Sequence, residues 1–253
     1  MNIRPLTILT GASRGMGQAM AHQLLDEGHA LLCIARHADA ALAAKAQAAG
    51  IPCEQWQADL ADPEPLARRL SAWLATRSSA PPSSVTLINN AGVIPSIAPI
   101  GEVPAKELAW SMRVGLEAPL LLTGAFLEAT AAWACPRKVL NISSGLGRRA
   151  MASQAAYCGA KAGMDHFTRC VALEEALRPN GARVCALAPG VIATDMQVQL
   201  RSAPDARFPD RGNFQAMNDK GLLQTPEAAA TKVLAWLARP DFGNNPVADV
   251  RDA

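Results

Sequence analysis

Tyr157 is the only tyrosine in this chain of 253 residues, and Lys161 follows it four positions on. Both fall in a stretch, Ser153 to Leu177, that reads as helix. Residues at i and i+4 share one helix face, so hydroxyl and ammonium point into the same space. A free tyrosine has a pKa of about 10, and a neighbouring cation lowers it at about 1.4 kcal/mol per unit. The pair therefore has the parts of a general acid/base working near neutral pH. A helical tyrosine beside a solvated lysine would give the same pentapeptide; the residues upstream separate the two. Val139-Leu140-Asn141-Ile142-Ser143-Ser144 reads as a buried strand ending in hydroxyls, with Ser144 thirteen residues before Tyr157. A serine at a strand's carboxyl end and a tyrosine on the next helix can converge on one carbonyl oxygen. The serine would polarise it and the tyrosine would protonate it.

Such a trio needs a frame, and the first part of the chain supplies one. Leu6 to Thr10 reads as a short apolar strand. It runs into Gly11-Ala12-Ser13-Arg14-Gly15-Met16-Gly17 and then an apolar-periodic helix to about Glu27, with Gly28 closing it. Strand, glycine turn and helix start make a phosphate site, because bare backbone approaches closely and the helix N-terminus offers free N–H groups. Ala30 to Ala35 reads as a second buried strand, ending at Arg36. In a dinucleotide fold an acid at that place accepts the ribose 2′-OH of NAD, whereas an arginine accommodates a 2′-phosphate. Arg14 in the turn adds a second cation. Two arginines at these places point to NADP(H), against the alternative of two solvated surface charges.

The pattern then repeats. Ala38 to Ala49 is alanine-rich helix closed by Gly50, and Ile51 to Trp56 is a third strand leading to Asp59-Leu60. Pro63 to Arg77 is helix, 78–84 is a polar, proline-rich surface loop, and Val85 to Asn89 is a fourth strand. A long helical region from about Pro104 to Trp133 holds Pro119, which should kink or split it. Arg183 to Ala188 is a further strand. Residues 197–224 show no strong period, and their Leu200, Phe208, Phe214 and Met217 suggest a lid over a substrate. Thr225 as N-cap and Pro226 at N1 open a last helix to about Ala238, and Asn245 to Val250 suits a short final strand. Alternating strands and helices predict an α/β fold: one doubly wound parallel sheet with helices on both faces and the site at the strands' carboxyl ends.

Composition limits the alternatives. The length fits one large α/β domain or two small ones, and half of the residues are apolar. A net charge of +2 without a Lys/Arg run gives no nucleic-acid surface. No apolar run approaches the roughly 18 residues of a membrane span. The start, Met1-Asn2-Ile3-Arg4-Pro5, carries no secretory h-region, so a cytoplasmic protein is expected. The six cysteines lack CxxC spacing and the four histidines are scattered, so no metal site is expected and the thiols read as reduced and mostly buried. Cys158, beside Tyr157, is the thiol open to alkylation near the site.

Ser144, Tyr157 and Lys161 resemble the triad of the short-chain dehydrogenase/reductase family. Thr10-Gly11-Ala12-Ser13-Arg14-Gly15-Met16-Gly17 is similar to its TGxxxGxG, Asn89-Asn90-Ala91-Gly92 to its NNAG, and Pro189-Gly190 with Thr194 to its PGxxxT. The four are in the family's order and span most of the chain. The resemblance implies a Rossmann-type single domain and an NADP(H)-dependent reductase of a small-molecule ketone or aldehyde, or the reverse oxidation. Hydride would pass between nicotinamide and carbonyl carbon. It implies that Ser13, Met16, Asn90, Ala91 and Gly92 lie along the cofactor with the glycine turn. Asp59 and Leu60 would cap the adenine, and Lys161 would lower the Tyr157 pKa and hold the nicotinamide ribose. Pro189, Gly190, Ile192 and Thr194 would lie under the nicotinamide. Family members pair the helices of 104–133 and 153–177 across a two-fold axis, so a homodimer or homotetramer is implied. Val191-Ile192-Ala193-Thr194-Asp195-Met196-Gln197 is similar to the sepiapterin-reductase-like branch. Gly115 stands where the family carries an asparagine whose backbone carbonyl holds a water and whose side chain braces a helix distortion. Glycine keeps the carbonyl and costs roughly 0.5–1 kcal/mol of helix stability relative to alanine. That departure is the pointer to the alternative, a non-catalytic NADP(H)-binding regulatory protein of the same fold.

Overall fold

The computed structural model describes residues 3–77 and 80–252. Met1 and Asn2 of the expected start, and Ser78 and Ser79 of the expected loop, lie outside them. Seven parallel strands form one sheet: β1 (Leu6–Thr10), β2 (Ala30–Ala35), β3 (Cys53–Gln57), β4 (Val85–Asn89), β5 (Arg137–Ile142), β6 (Arg183–Ala188) and β7 (Val247–Asp249). Their order is β3-β2-β1-β4-β5-β6-β7, so the winding reverses between β1 and β4. The crevice at such a reversal, beyond the carboxyl ends of the strands, is where this architecture binds ligands. The expected doubly wound sheet is thus the observed one.

Both faces of the sheet are covered, which is why its strands read as apolar runs and not as alternation. Leu9, Ile88, Leu140 and Cys185 pack on one side with α1 (Gly15–Asp26) and α9 (Pro226–Ala238). Ile8, Leu87, Val139 and Val184 pack on the other with α3 (Pro63–Ala75) and α5 (Ala118–Ala129). Helix ends follow their local chemistry. Asp39 caps α2 (Ala40–Ala49) by accepting from Leu42 N at 3.1 Å, and Gly50 ends it in the left-handed region. Thr225 caps α9 through Ala228 N, with Pro226 in its first turn.

Three expectations need correction. The long helical region breaks upstream of Pro119: α4 (Ala105–Met112) passes through a π turn, Arg113–Glu117, into α5. Pro119 sits in the first turn of α5. Having no N–H, it cannot bond to the Gly115 carbonyl four residues earlier, so the ladder fails there and not at the proline ring. Second, β5 begins at Arg137, ahead of its apolar run, because Arg137 pairs with Val85 of β4; its buried charge is met by Glu175 in a 3.1 Å ion pair, the two side chains 1% and 3% exposed. Third, 197–224 is not irregular: it holds α7 (Asp195–Arg201) and α8 (Arg211–Asp219). All six cysteines are free, but only Cys33, Cys135 and Cys185 are buried, and Cys170 is exposed. Among the described residues no helix is long and apolar enough to cross a membrane.

Candidate active site

A cavity of about 750 Å³ opens along the carboxyl ends of the strands. It runs from Arg36 and Asp59, past the glycine turn, to Ser144, Tyr157 and Lys161. Every expected catalytic and cofactor-binding residue lines it, including Leu60, Asn90 to Gly92, Pro189, Gly190, Ile192 and Thr194, whereas Gly115, Cys158 and Phe208 do not.

The glycine turn is shaped by close packing. A Cβ on Gly17 would lie 2.1 Å from the Gly11 carbonyl oxygen, and one on Gly11 would lie 2.9 Å from Ala91 Cα. Both contacts exclude a side chain, so α1 starts directly on the turn. Asn90 holds the turn to β4 by donating from Nδ2 to Thr10 O at 3.0 Å. The Thr10 hydroxyl accepts from the Asn90 and Ala91 amides at 3.0 and 3.1 Å. Asn89 points the other way and donates to Asn141 Oδ1 at 2.8 Å, tying β4 to β5.

Of the two expected phosphate-binding arginines, Arg36 is exposed at the end of β2 and has no ion pair among the described residues. Arg14 differs: its Nη1 lies 2.5 Å from Asp195 Oδ2 at the start of α7. Both partners are more than half exposed, so this pair contributes at most about 1 kcal/mol and yields to a competing anion. Asp59 is exposed and accepts from Ala61 N at 2.9 Å, one carboxylate oxygen turning the chain toward α3.

At the other end, α6 (Ala155–Ala176) carries Tyr157 and Lys161. Ser144 follows β5 in extended conformation, and its Oγ accepts from Leu146 N at 3.1 Å. That leaves the hydroxyl hydrogen to point toward the Tyr157 oxygen. The Lys161 ammonium donates to Ile142 O at 2.6 Å and lies 5.8 Å from the Tyr157 ring centre. The cation is therefore held by β5, not by the phenol. Burial lowers Lys161 to about 8, opposed by the charge of Asp165.

The expectation that Lys161 lowers the Tyr157 pKa does not describe this chain alone. Burial among protein atoms pushes the phenol up, the Ser144 hydroxyl opposes this in part, and the charge of Cys158 adds to it. The ring keeps some accessible surface only because it borders the cavity. Desolvation wins because the ammonium is turned toward a carbonyl.

Behind the trio is a layer that sequence reasoning missed. Asp165 is 1% exposed, accepts a short hydrogen bond from Ser143 Oγ and pairs with Arg148 Nε at 3.1 Å. The signal was present: 157, 161 and 165 fall at i, i+4 and i+8 of one helix face. Leu200, Phe208 and Phe214 form a separate apolar cluster with Ile94, Ile97 and Met151, in which the Phe208 and Phe214 ring centres lie 5.5 Å apart and Tyr157 and Met217 pack against the cluster.

Gly115 lies in the π turn, and a Cβ there would sit 3.1 Å from Ala160 Cβ, next to Lys161. That neighbour is fixed to a helix backbone and cannot swing away. Gly115→Ala is therefore expected to lose about 1 kcal/mol of stability by crowding α6, reversing the usual gain from helix propensity. Urea unfolding of both proteins checks the sign.

The short chain dehydrogenase family matches residues 6–205. Benzil reductase ((S)-benzoin forming) from Bacillus cereus is 34% identical over 235 residues, covering 93% of this chain and 94% of that protein. Sepiapterin reductase from Xenopus tropicalis is 30% identical over 248 residues, covering 92% and 90%. A crystal structure of a short-chain dehydrogenase/reductase from Burkholderia vietnamiensis is 31% identical, covers 100% of this chain and 99% of that one, and superposes with a TM-score of 0.67. On this sequence match and this shared geometry, the chain belongs to the short-chain dehydrogenase family of nicotinamide-dependent oxidoreductases.

Proposed function

We propose that this protein is an NADPH-dependent reductase of a ketone or aldehyde, also able to run the reaction in reverse. One observation carries the reading: Ser144, Tyr157 and Lys161 share a cavity with the bare glycine turn and with Arg36 at its far end. The residues fit a phosphorylated dinucleotide, because the closely packed Gly11 and Gly17 keep the turn free of side chains. The nicotinamide, when bound, supplies the hydride that the carbonyl carbon receives. Ser144 turns its hydroxyl hydrogen from the Tyr157 oxygen to the carbonyl oxygen. Tyr157, protonated at neutral pH because burial holds its pKa up, delivers the proton. Lys161 spends one ammonium hydrogen on Ile142 O and keeps others for the ribose hydroxyls. Leu200, Phe214 and Met217 line the cavity from α7 and α8, which act as a lid. The similarity to benzil reductase makes a bulky apolar ketone the first substrate to try.

Arg36 and Arg14 should favour NADPH over NADH by at least about tenfold, or 1.4 kcal/mol, the size of one charge-assisted contact. Arg36 carries most of this, since Arg14 must first leave Asp195. Titration of both cofactors tests it: equal dissociation constants, or an unchanged preference in Arg36→Ala, would remove the NADP(H) assignment. NADPH consumption on a panel of carbonyl compounds tests the reaction itself.

A homodimer is the proposed assembly. Leu120 on α5 and Leu173 and Leu177 near the end of α6 are exposed, at 46%, 73% and 87%, as unpaired faces would be. Light scattering at micromolar concentration should give at least twice the chain mass; a monomer would count against it.

A further inference from the structure

We propose that Gln154 and Gln197 form an uncharged clasp that positions a neutral substrate through a second oxygen, besides the reacting carbonyl. The substrate class is an apolar ketone that also carries a hydroxyl or second carbonyl group. This rests on the reductase reading above and specifies its substrate.

Gln154 is 3% exposed and Gln197 is 8% exposed, yet both line the cavity. Gln197 Oε1 is fully buried and has no hydrogen-bond partner. Gln154 stands at the N-cap of α6, where a side-chain oxygen ordinarily accepts from the first turn, but its side chain makes no such bond. A buried amide oxygen without a partner, as in Gln197, is unusual, since native proteins pair almost all such groups. The two glutamines come from different elements: Gln154 lies at the start of α6, three residues before Tyr157, and Gln197 lies on α7.

The remaining wall here is apolar, with Ile94, Met151, Leu200, Phe214 and Met217. The carboxylates that reach the cavity are engaged elsewhere, Asp195 with Arg14 and Asp249 with Arg251, while Asp59 lies at the other end beside Arg36. Lys161 is turned to Ile142 O, and Arg149 is exposed. Neutral amides in an apolar wall suit a neutral ligand. Each amide has both a donor and an acceptor, so it can receive a hydroxyl or a carbonyl by rotating about its last bond.

The competing explanation is structural. Arg201 Nη1 is also buried without a partner, one turn along α7 from Gln197, the spacing at which two side chains share a helix face.

The test uses the full chain with NADPH and two ketones of nearly equal shape, 2-hydroxyacetophenone and propiophenone, which differ by a hydroxyl for a methyl. Gln197→Leu should lower kcat/KM for the hydroxyketone about tenfold more than for propiophenone, chiefly through KM. Gln154→Leu should act in the same direction. The melting temperature of Gln197→Leu should not fall, because an unpaired buried amide is replaced by an apolar group of similar size. Equal changes with both ketones, no change with either, or a lower melting temperature with both activities reduced would overturn the inference. Wild-type protein active on other carbonyls but inert on these two would overturn it alone. Wild-type protein inert on every carbonyl tried would overturn the reductase reading and this inference with it.

Discussion

Tyr157→Phe should bind NADPH normally and lose at least about 100-fold in kcat, the scale of general acid catalysis. The change removes one oxygen and almost no volume, so packing against the cluster of Leu200, Phe208 and Phe214 survives. A near-normal kcat would mean that the proton comes from another group. The same residue offers a direct physical check. It is the only tyrosine in the chain, so the ultraviolet absorbance of phenolate in the cofactor-free protein reports Tyr157 alone. Burial raises its pKa, so that absorbance should appear above the ordinary value of about 10. The sign has a kinetic consequence. Reduction needs the phenol, which is present at neutral pH, whereas alcohol oxidation needs phenolate. Oxidation should therefore rise toward alkaline pH while reduction does not. Ionisation well below about 10 in the cofactor-free protein would show that Lys161 outweighs desolvation after all.

Gly17→Ala should cost about 3 kcal/mol of stability and weaken NADPH binding at least about 100-fold. The added carbon would lie 2.1 Å from the Gly11 carbonyl oxygen and 2.4 Å from Asn90 Nδ2. Neither yields cheaply. The first is backbone, and the second is the amide that ties the glycine turn to Thr10 O and Gly11 O. Helix α1 must move off the turn, and the amide groups at its start move with it. Gly15→Ala is the control. Its Cβ would meet nothing nearer than Thr194 Cγ2 at 3.8 Å, so the cost comes only from holding alanine at a φ of +55°. That strain is about 1–2 kcal/mol. Unfolding curves and cofactor titration on both variants separate crowding from strain; equal losses would show that close packing at Gly17 is not what shapes the turn.

Local rules made the frame readable from the sequence. Strands buried on both faces must be continuous apolar runs, so β1, β2, β4 and β6 stand where their Leu, Ile, Val and Ala residues cluster. Thr225-Pro226 fixes the start of α9 because a hydroxyl cap and a residue lacking an N–H both suit a first turn. The spacing of Ser144, Tyr157 and Lys161 placed all three at one cavity, because a strand's end and the following helix have few ways to face each other.

Only the tertiary structure decided what surrounds those residues. Lys161 is turned to Ile142 O, so desolvation sets the Tyr157 pKa; the i, i+4 rule gives a shared face but not the partner chosen on it. Arg14 meets Asp195 from 181 residues further along the chain, a distance no local pattern spans. The π turn precedes Pro119 because the missing N–H is felt at a carbonyl one turn earlier, and Gly115 there admits α6 at Ala160. Gln154 and Gln197 look like ordinary surface glutamines in the sequence. That both are buried, and that the Gln197 oxygen has no partner, are properties of the packed molecule, since they depend on which groups from distant segments arrive beside each amide and which do not.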